Sequence, residues 1–220
     1  MKKTIKTAAY IAMALAAIAC ARVEKTGANE ANERYFKAWM ELNHPGIQSS
    51  GLGIYVLEEE EGDGAEVKEG GFVIADYVIT DLAGNIATYT DKLTAKQLGT
   101  YDTTAYYGPK IITTTESTIQ AGLADAIIGM REGGRKKVII PGWLMTYKTY
   151  DTPEEYLENS SSGTDAIYDI TIREYTDSIY LYELDNIGKY FKANTDIFGN
   201  KTLRDSADVY GFYYQQLKAP

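Results

Sequence analysis

The chain has 220 residues, with 22 Lys and Arg against 31 Asp and Glu and a formal net charge of −9. So acidic a surface repels phosphate backbones and argues against nucleic acid as a partner. A single cysteine, Cys20, and a single histidine, His44, exclude an intramolecular disulfide and a cysteine-based zinc site, and leave little material for Ser-His-Asp or Cys-His catalysis.

Met1-Lys2-Lys3-Thr4-Ile5-Lys6 is basic, and Thr7 to Ala19 is apolar, rich in small residues and too short for a spanning helix. Residues 1–19 therefore read as a signal peptide. The segment runs into Ala17-Ile18-Ala19-Cys20, which resembles a bacterial lipobox with Ala17 where leucine is commoner. On that reading Cys20 becomes the lipidated first residue of an exported protein; the alternative is an ordinary cleaved signal beside a chance cysteine. Cleavage removes Lys2, Lys3 and Lys6 and no acid, which takes the net charge from −9 to −12. Lipid anchoring, rather than charge, would then hold the protein at a membrane.

Residues 20–50 read as anchor, polar tether and amphipathic helix. Tyr35, Phe36, Trp39 and Leu42 recur at helical spacing from about Asn32 to Asn43, and Asn43-His44-Pro45-Gly46 stops the helix. The lone histidine belongs to that turn and reads as solvated. Gly51 to Glu58 alternates as a strand, and the acidic run Glu58-Glu59-Glu60-Glu61 reads as its solvated end. Phe72 to Asp81 is a second strand, Asp81-Leu82-Ala83-Gly84-Asn85 a hairpin turn, and Ile86 to Thr90 the returning strand. Residues 91–117, with Gly108-Pro109 and a threonine cluster, read as loop.

Thr118 to Met130 places Ile119, Leu123, Ile127 and Met130 on one helical face. Lys136 to Ile140 reads as a strand, 142–163 as a long loop and Ala166 to Tyr175 as the last strand. Arg131, Arg135, Lys136 and Lys137 read as a solvated turn, with an anion-binding patch as the alternative. Beyond Thr176, Lys189-Tyr190-Phe191-Lys192-Ala193 nearly copies Arg34-Tyr35-Phe36-Lys37-Ala38, and Gly211-Phe212-Tyr213-Tyr214 echoes Gly53-Ile54-Tyr55-Val56. Residues 177–220 are thus a helix and strand extension. Chance, a truncated second module, or a terminal strand that pairs with the first sheet all accommodate the echo.

The block Gly129-Met130-Arg131-Glu132-Gly133, within a helix, glycine turn and strand ending at Pro141, resembles the central motif of the FKBP-type peptidyl-prolyl isomerases. The resemblance covers about Gly51 to Tyr175 and places the family-like domain at 51–176. It implies an α+β fold, an FKBP-like antiparallel sheet wrapped around one short helix, here with flanking N- and C-terminal helices. It also implies a proline-binding pocket whose residues would be Tyr77, Ile119, Gln120, Leu123, Tyr147 and Tyr168, with no cofactor and no metal. The partners would be proline-containing polypeptides, and the role peptidyl-prolyl cis-trans isomerisation assisting the folding of exported proteins. The place would be the cell envelope, lipid-anchored on the periplasmic or surface side of the outer membrane.

The sequence departs from the family pattern at several of these positions. Ala87-Thr88 stands where a Phe-Asp pair usually closes the first hairpin, and Ile119-Gln120 where a Val-Ile pair precedes the helix. Leu123 replaces a pocket-floor tryptophan, and Tyr147 lies about one residue out of register, so that Trp143 or Tyr89 could fill the pocket instead. A catalytically weak, chaperone-like polypeptide-binding lipoprotein is the alternative these changes raise, and a structural lipoprotein the third.

Overall fold

The last strand sets the architecture, because its residues alternate so regularly between two faces. In the computed structural model, which describes residues 29–161 and 163–194, Ala166, Tyr168, Ile170 and Ile172 are all buried while the residues between them are half-buried. This strand, β6 (Ala166–Thr176), runs through the middle of a six-stranded sheet in which every pairing is antiparallel. The others are β1 (Tyr55–Glu60), β2 (Phe72–Thr80), β3 (Ile86–Tyr89), β4 (Lys110–Thr113) and β5 (Arg135–Ile140). Their order is β1-β5-β6-β2-β3, with β4 also on β2. The fold is α+β, as expected.

Among the described residues five α-helices accompany the sheet: α1 (Glu30–Asn43), α2 (Lys92–Gln97), α3 (Ala121–Ile127), α4 (Pro153–Asn159) and α5 (Ile179–Ala193). The short α3 lies on the face that carries Ile140, Val138 and Tyr168. It comes unusually close: a Cβ built on Gly122 would stand 2.3 Å from Ile140 Cγ2 and 2.9 Å from Leu144 Cβ. Only a glycine admits that approach. Leu123, Ala126 and Ile127 are buried beneath it.

The opposite face is covered at the β1–β5 end by α1. Tyr55 pairs with Ile139, so both project away from Val138 and α3. Phe36 of α1 is fully buried there, with its ring centroid 5.6 Å from Tyr55 and 5.4 Å, edge-on, from Trp143. Asn29 ties the start of the same helix to α4, its Nδ2 donating to Leu157 O at 2.9 Å and Ser160 O at 3.0 Å.

Several sequence expectations shift. The first strand begins at Tyr55 rather than Gly51, because the chain closes a tight turn at 50–54, with Ser50 N donating to Ile54 O at 2.8 Å. The loops at 91–117 and 142–163 contain α2, β4, a 3-10 turn (Gly142–Leu144) and α4. Side-chain caps explain the two helices: Asp91 accepts from Thr94 N and Thr152 from Glu155 N. The predicted helix 118–130 contracts to seven residues, closed by Gly129 at φ 87°. The strand expected at Lys136 begins one residue earlier, so that Arg135, Lys136 and Lys137, also read as a solvated turn, pair with Glu60, Glu59 and Glu58 across the β1–β5 ladder. Arg34–Ala38 and Lys189–Ala193 both lie in helices, α1 and α5. Cys20, the preceding signal segment and the echo at Gly211–Tyr214 lie outside the described residues.

Gly122→Ala sets two opposed effects against each other. Helix propensity gains about 1 kcal/mol, whereas overpacking against a buried β-branched side chain costs about 1–3 kcal/mol. The expected outcome is a net loss, read as a lower urea midpoint than wild type. A rise in that midpoint would show that α3 does not touch β5 at this point.

Candidate functional site

The six residues named from the sequence fall on three elements around the N-terminal end of α3. Tyr77 belongs to β2 and Tyr168 to β6, where Tyr77 faces Ile170 and Ile79 faces Tyr168, so the two tyrosines share one face of the sheet. Ile119 and Gln120 precede α3, Leu123 lies within it, and Tyr147 follows the 3-10 turn. Ile119, Leu123 and Tyr168 belong to one buried cluster against which Tyr77 packs.

Gln120 occupies the N-cap position of α3 without capping it. Its side chain turns to the sheet instead, where Tyr168 Oη donates to Oε1 at 3.4 Å. The next amide, Ala121 N, donates to Thr146 O at 2.8 Å and so holds the segment bearing Tyr147 against the start of the helix. The Gly122 and Leu123 amides belong to the first turn, which has no intrahelical acceptors of its own.

Tyr168 is 6% exposed and its hydroxyl is pushed up to about 12, chiefly by burial, with Tyr147 and Tyr77 close enough to raise the cost of a second negative charge. The three phenols therefore form one constellation around the Tyr168 hydroxyl, which Gln120 meets. Tyr168 is the buried wall, Tyr77 is half-buried and Tyr147, 56% exposed, is the rim. Tyr168, held protonated well above neutral pH, offers a donor and not a proton-transfer base.

Two residues that could have filled this space are engaged elsewhere. Trp143 packs edge-on against Phe36, and its carbonyl accepts from Ser160 Oγ at 2.7 Å. Tyr89 shares a hydrogen bond with Thr100 Oγ1. Ala87 and Thr88 are exposed on the edge strand β3. The neighbouring acids do not replace the absent carboxylate. Asp76 takes Arg173 Nε at 2.7 Å on the other face, and Asp91 caps α2.

One positioning residue was missed from the sequence: Thr90, nearly fully buried where β3 ends. Tyr77 N donates to its Oγ1 at 3.1 Å, its own amide donates to Tyr77 O at 3.0 Å, and its hydroxyl donates to Asp76 Oδ1 at 3.1 Å. Gly108 N donates to Thr90 O at 2.8 Å as the chain returns from its excursion. Thr90 thus fixes Tyr77 at the gap between β3 and β4. A threonine among threonines carried no signal of this. Among the described residues no cluster of three His, Cys, Asp or Glu could hold a metal ion.

No family model matches the chain, and no curated protein sequence does. Among solved structures it is similar to a peptidyl-prolyl cis-trans isomerase from Pseudomonas syringae pv. tomato, at 19% identity over 67% of this chain and 96% of that one, with a TM-score of 0.46. It is also similar to FkpA from Escherichia coli, at 19% identity over 80% of this chain and 72% of that one (TM-score 0.43), and to AtFKBP13, at 17% over 59% and 98% (TM-score 0.40). At such identities the chemistry rests on the chain's own residues.

Tyr168 gives a pH test. An acid whose folded pKa stands above its unfolded value of about 10 keeps its proton longer in the folded state. Its contribution to stability is therefore lost as pH rises from about 10 through about 12. Tyr168→Phe should lose less stability than wild type across that interval when urea midpoints are compared at about pH 9, 10 and 11. Parallel losses in the two proteins would mean that Tyr168 is not the buried phenol.

Proposed function

We propose that this protein is a peptidyl-prolyl cis-trans isomerase of the FKBP type that assists the folding of exported proteins. The observation that carries the reading is the meeting of Tyr168 with Gln120 at the start of α3, flanked by Tyr77, Ile119, Leu123 and Tyr147. Rotation about an X–Pro bond faces a barrier of about 18–20 kcal/mol from amide resonance. The reaction takes tens to hundreds of seconds unaided. A catalyst needs to favour the twisted amide, whose charge separation is smaller, over the planar one. Ile119, Leu123 and the faces of Tyr77 and Tyr168 supply apolar surface for the ring. The amides at the start of α3 other than that of Ala121, which Thr146 O already takes, and the Tyr147 hydroxyl supply donors for the substrate carbonyl. Nothing in this scheme requires a titrating base, a nucleophile or a metal.

A second reading, polypeptide binding with weak catalysis, draws support from the exposure of Ala87 and Thr88 and from the engagement of Asp76 by Arg173 on the other face of the sheet. A proline-peptide isomerisation assay separates the two. The full-length chain should accelerate the exchange, and Tyr168→Ala should lower kcat/KM by about tenfold or more, equivalent to about 1.4 kcal/mol of transition-state stabilisation. Peptide binding by a folded chain that gives no acceleration would leave the binding reading alone.

The proposal extends to the cell envelope, with Cys20 as the lipidated residue; the basic start, the short apolar segment and the lipobox-like Ala17-Ile18-Ala19-Cys20 support it. In cells fed labelled palmitate, the wild-type chain should take up label and enter the detergent phase. Cys20→Ala should do neither, and unchanged labelling in that variant would overturn the assignment.

A further inference from the structure

A cavity of about 520 Å³ opens beside the tyrosine constellation, on the flank of α3 away from the sheet. Its apolar surface comes from Leu52, Ile119, Ile128 and the nearly fully buried Tyr156. Ile119 and Tyr147 belong both to this cavity and to the site described above, so the two spaces adjoin.

The cavity's polar residues are unbalanced in charge. Glu69, Glu116 and Asp125 line it against a single ammonium, Lys148. On the sheet, by contrast, Glu58, Glu59 and Glu60 of β1 and Asp169 of β6 all pair with Arg135, Lys136 or Lys137. Glu69 and Glu116 are exposed and have no such partner among the described residues. Asp125 accepts from Leu52 N at 2.8 Å, and burial raises its pKa against the opposing pull of Lys136. An apolar floor beside the two exposed glutamates, which no cation among the described residues pairs, suits a side chain with an aliphatic stem and a cationic head.

We infer that this cavity is a subsite for the polypeptide substrate, which takes a lysine or arginine flanking the proline, with Ile119 and Tyr147 as the shared wall between the basic side chain and the proline ring. This rests on the isomerase reading for the position of the proline, but the charge preference belongs to the cavity alone. Such a subsite would select basic, apolar stretches of unfolded chain and disfavour acidic ones.

The test measures binding of the full-length chain to fluorescent peptides identical except at one residue flanking proline, Lys or Glu, each made also with Ala in place of the proline. The Lys peptides should bind about tenfold more tightly than the Glu peptides at low salt, from two or three partly exposed charge pairs. The preference should persist in the proline-free pair and shrink to less than twofold in the Glu69→Gln, Glu116→Gln double variant. Both substitutions are at exposed positions, so the fold should be retained, which circular dichroism of the variant checks. Equal binding of Lys and Glu peptides, or a preference untouched by the double variant, overturns the subsite. Loss of discrimination between proline and alanine with the charge preference intact counts against the isomerase reading and supports the subsite.

Discussion

The contact between Gly122 and Ile140 sets the distance between α3 and the sheet, and the site follows from that distance. With no Cβ in the way, the helix sinks until its backbone meets the side chains of β5 and the turn after it. Ile119 and Leu123 are thereby pressed into the same buried cluster as Tyr168, and Gln120 reaches the phenol across the gap. A helix held even one methyl group further out would leave a void, since close-packed interiors lose both transfer and contact energy when separated.

The charged residues show how an acidic chain holds such a sheet together. Arg135 takes both oxygens of Asp169, at 2.8 and 2.7 Å, while Nη1 reaches Glu58 and Glu60 at 2.9 and 3.1 Å. Paired forks of this kind give geometry as well as energy. They lock β1, β5 and β6 in register on the face away from α3. Carboxylates outside these forks include Glu69 and Glu116 at the cavity beside α3.

At the other side of the sheet, β2 is bordered by two short strands instead of one long one. β4 pairs with its first half and β3 with its second, and residues 90–109 leave the sheet between them. Thr90 closes both ends of that gap through side chain and backbone. The excursion therefore costs the sheet no unpaired buried amide at Tyr77, a group that would be expensive to leave unsatisfied.

By itself the sequence determined the sheet strands with strong alternation, the amphipathic α1 and the presence of a helix near Leu123. These depend on periodicity, which is local and survives without knowledge of partners. The turn after that helix was equally legible, because a run such as Gly129-Met130-Arg131-Glu132-Gly133 carries its geometry in its glycines, at φ 87° and 83°. Only the tertiary structure decided the rest. It packed Trp143 edge-on against Phe36, extended the fifth strand back to Arg135 to meet Glu60, and made Thr90 the anchor of Tyr77. Each of these depends on contacts between residues far apart in the chain, which no local pattern encodes. The cavity beside α3 has the same origin, since its walls come together only when Leu52, Ile119 and Tyr147 are brought to one helix.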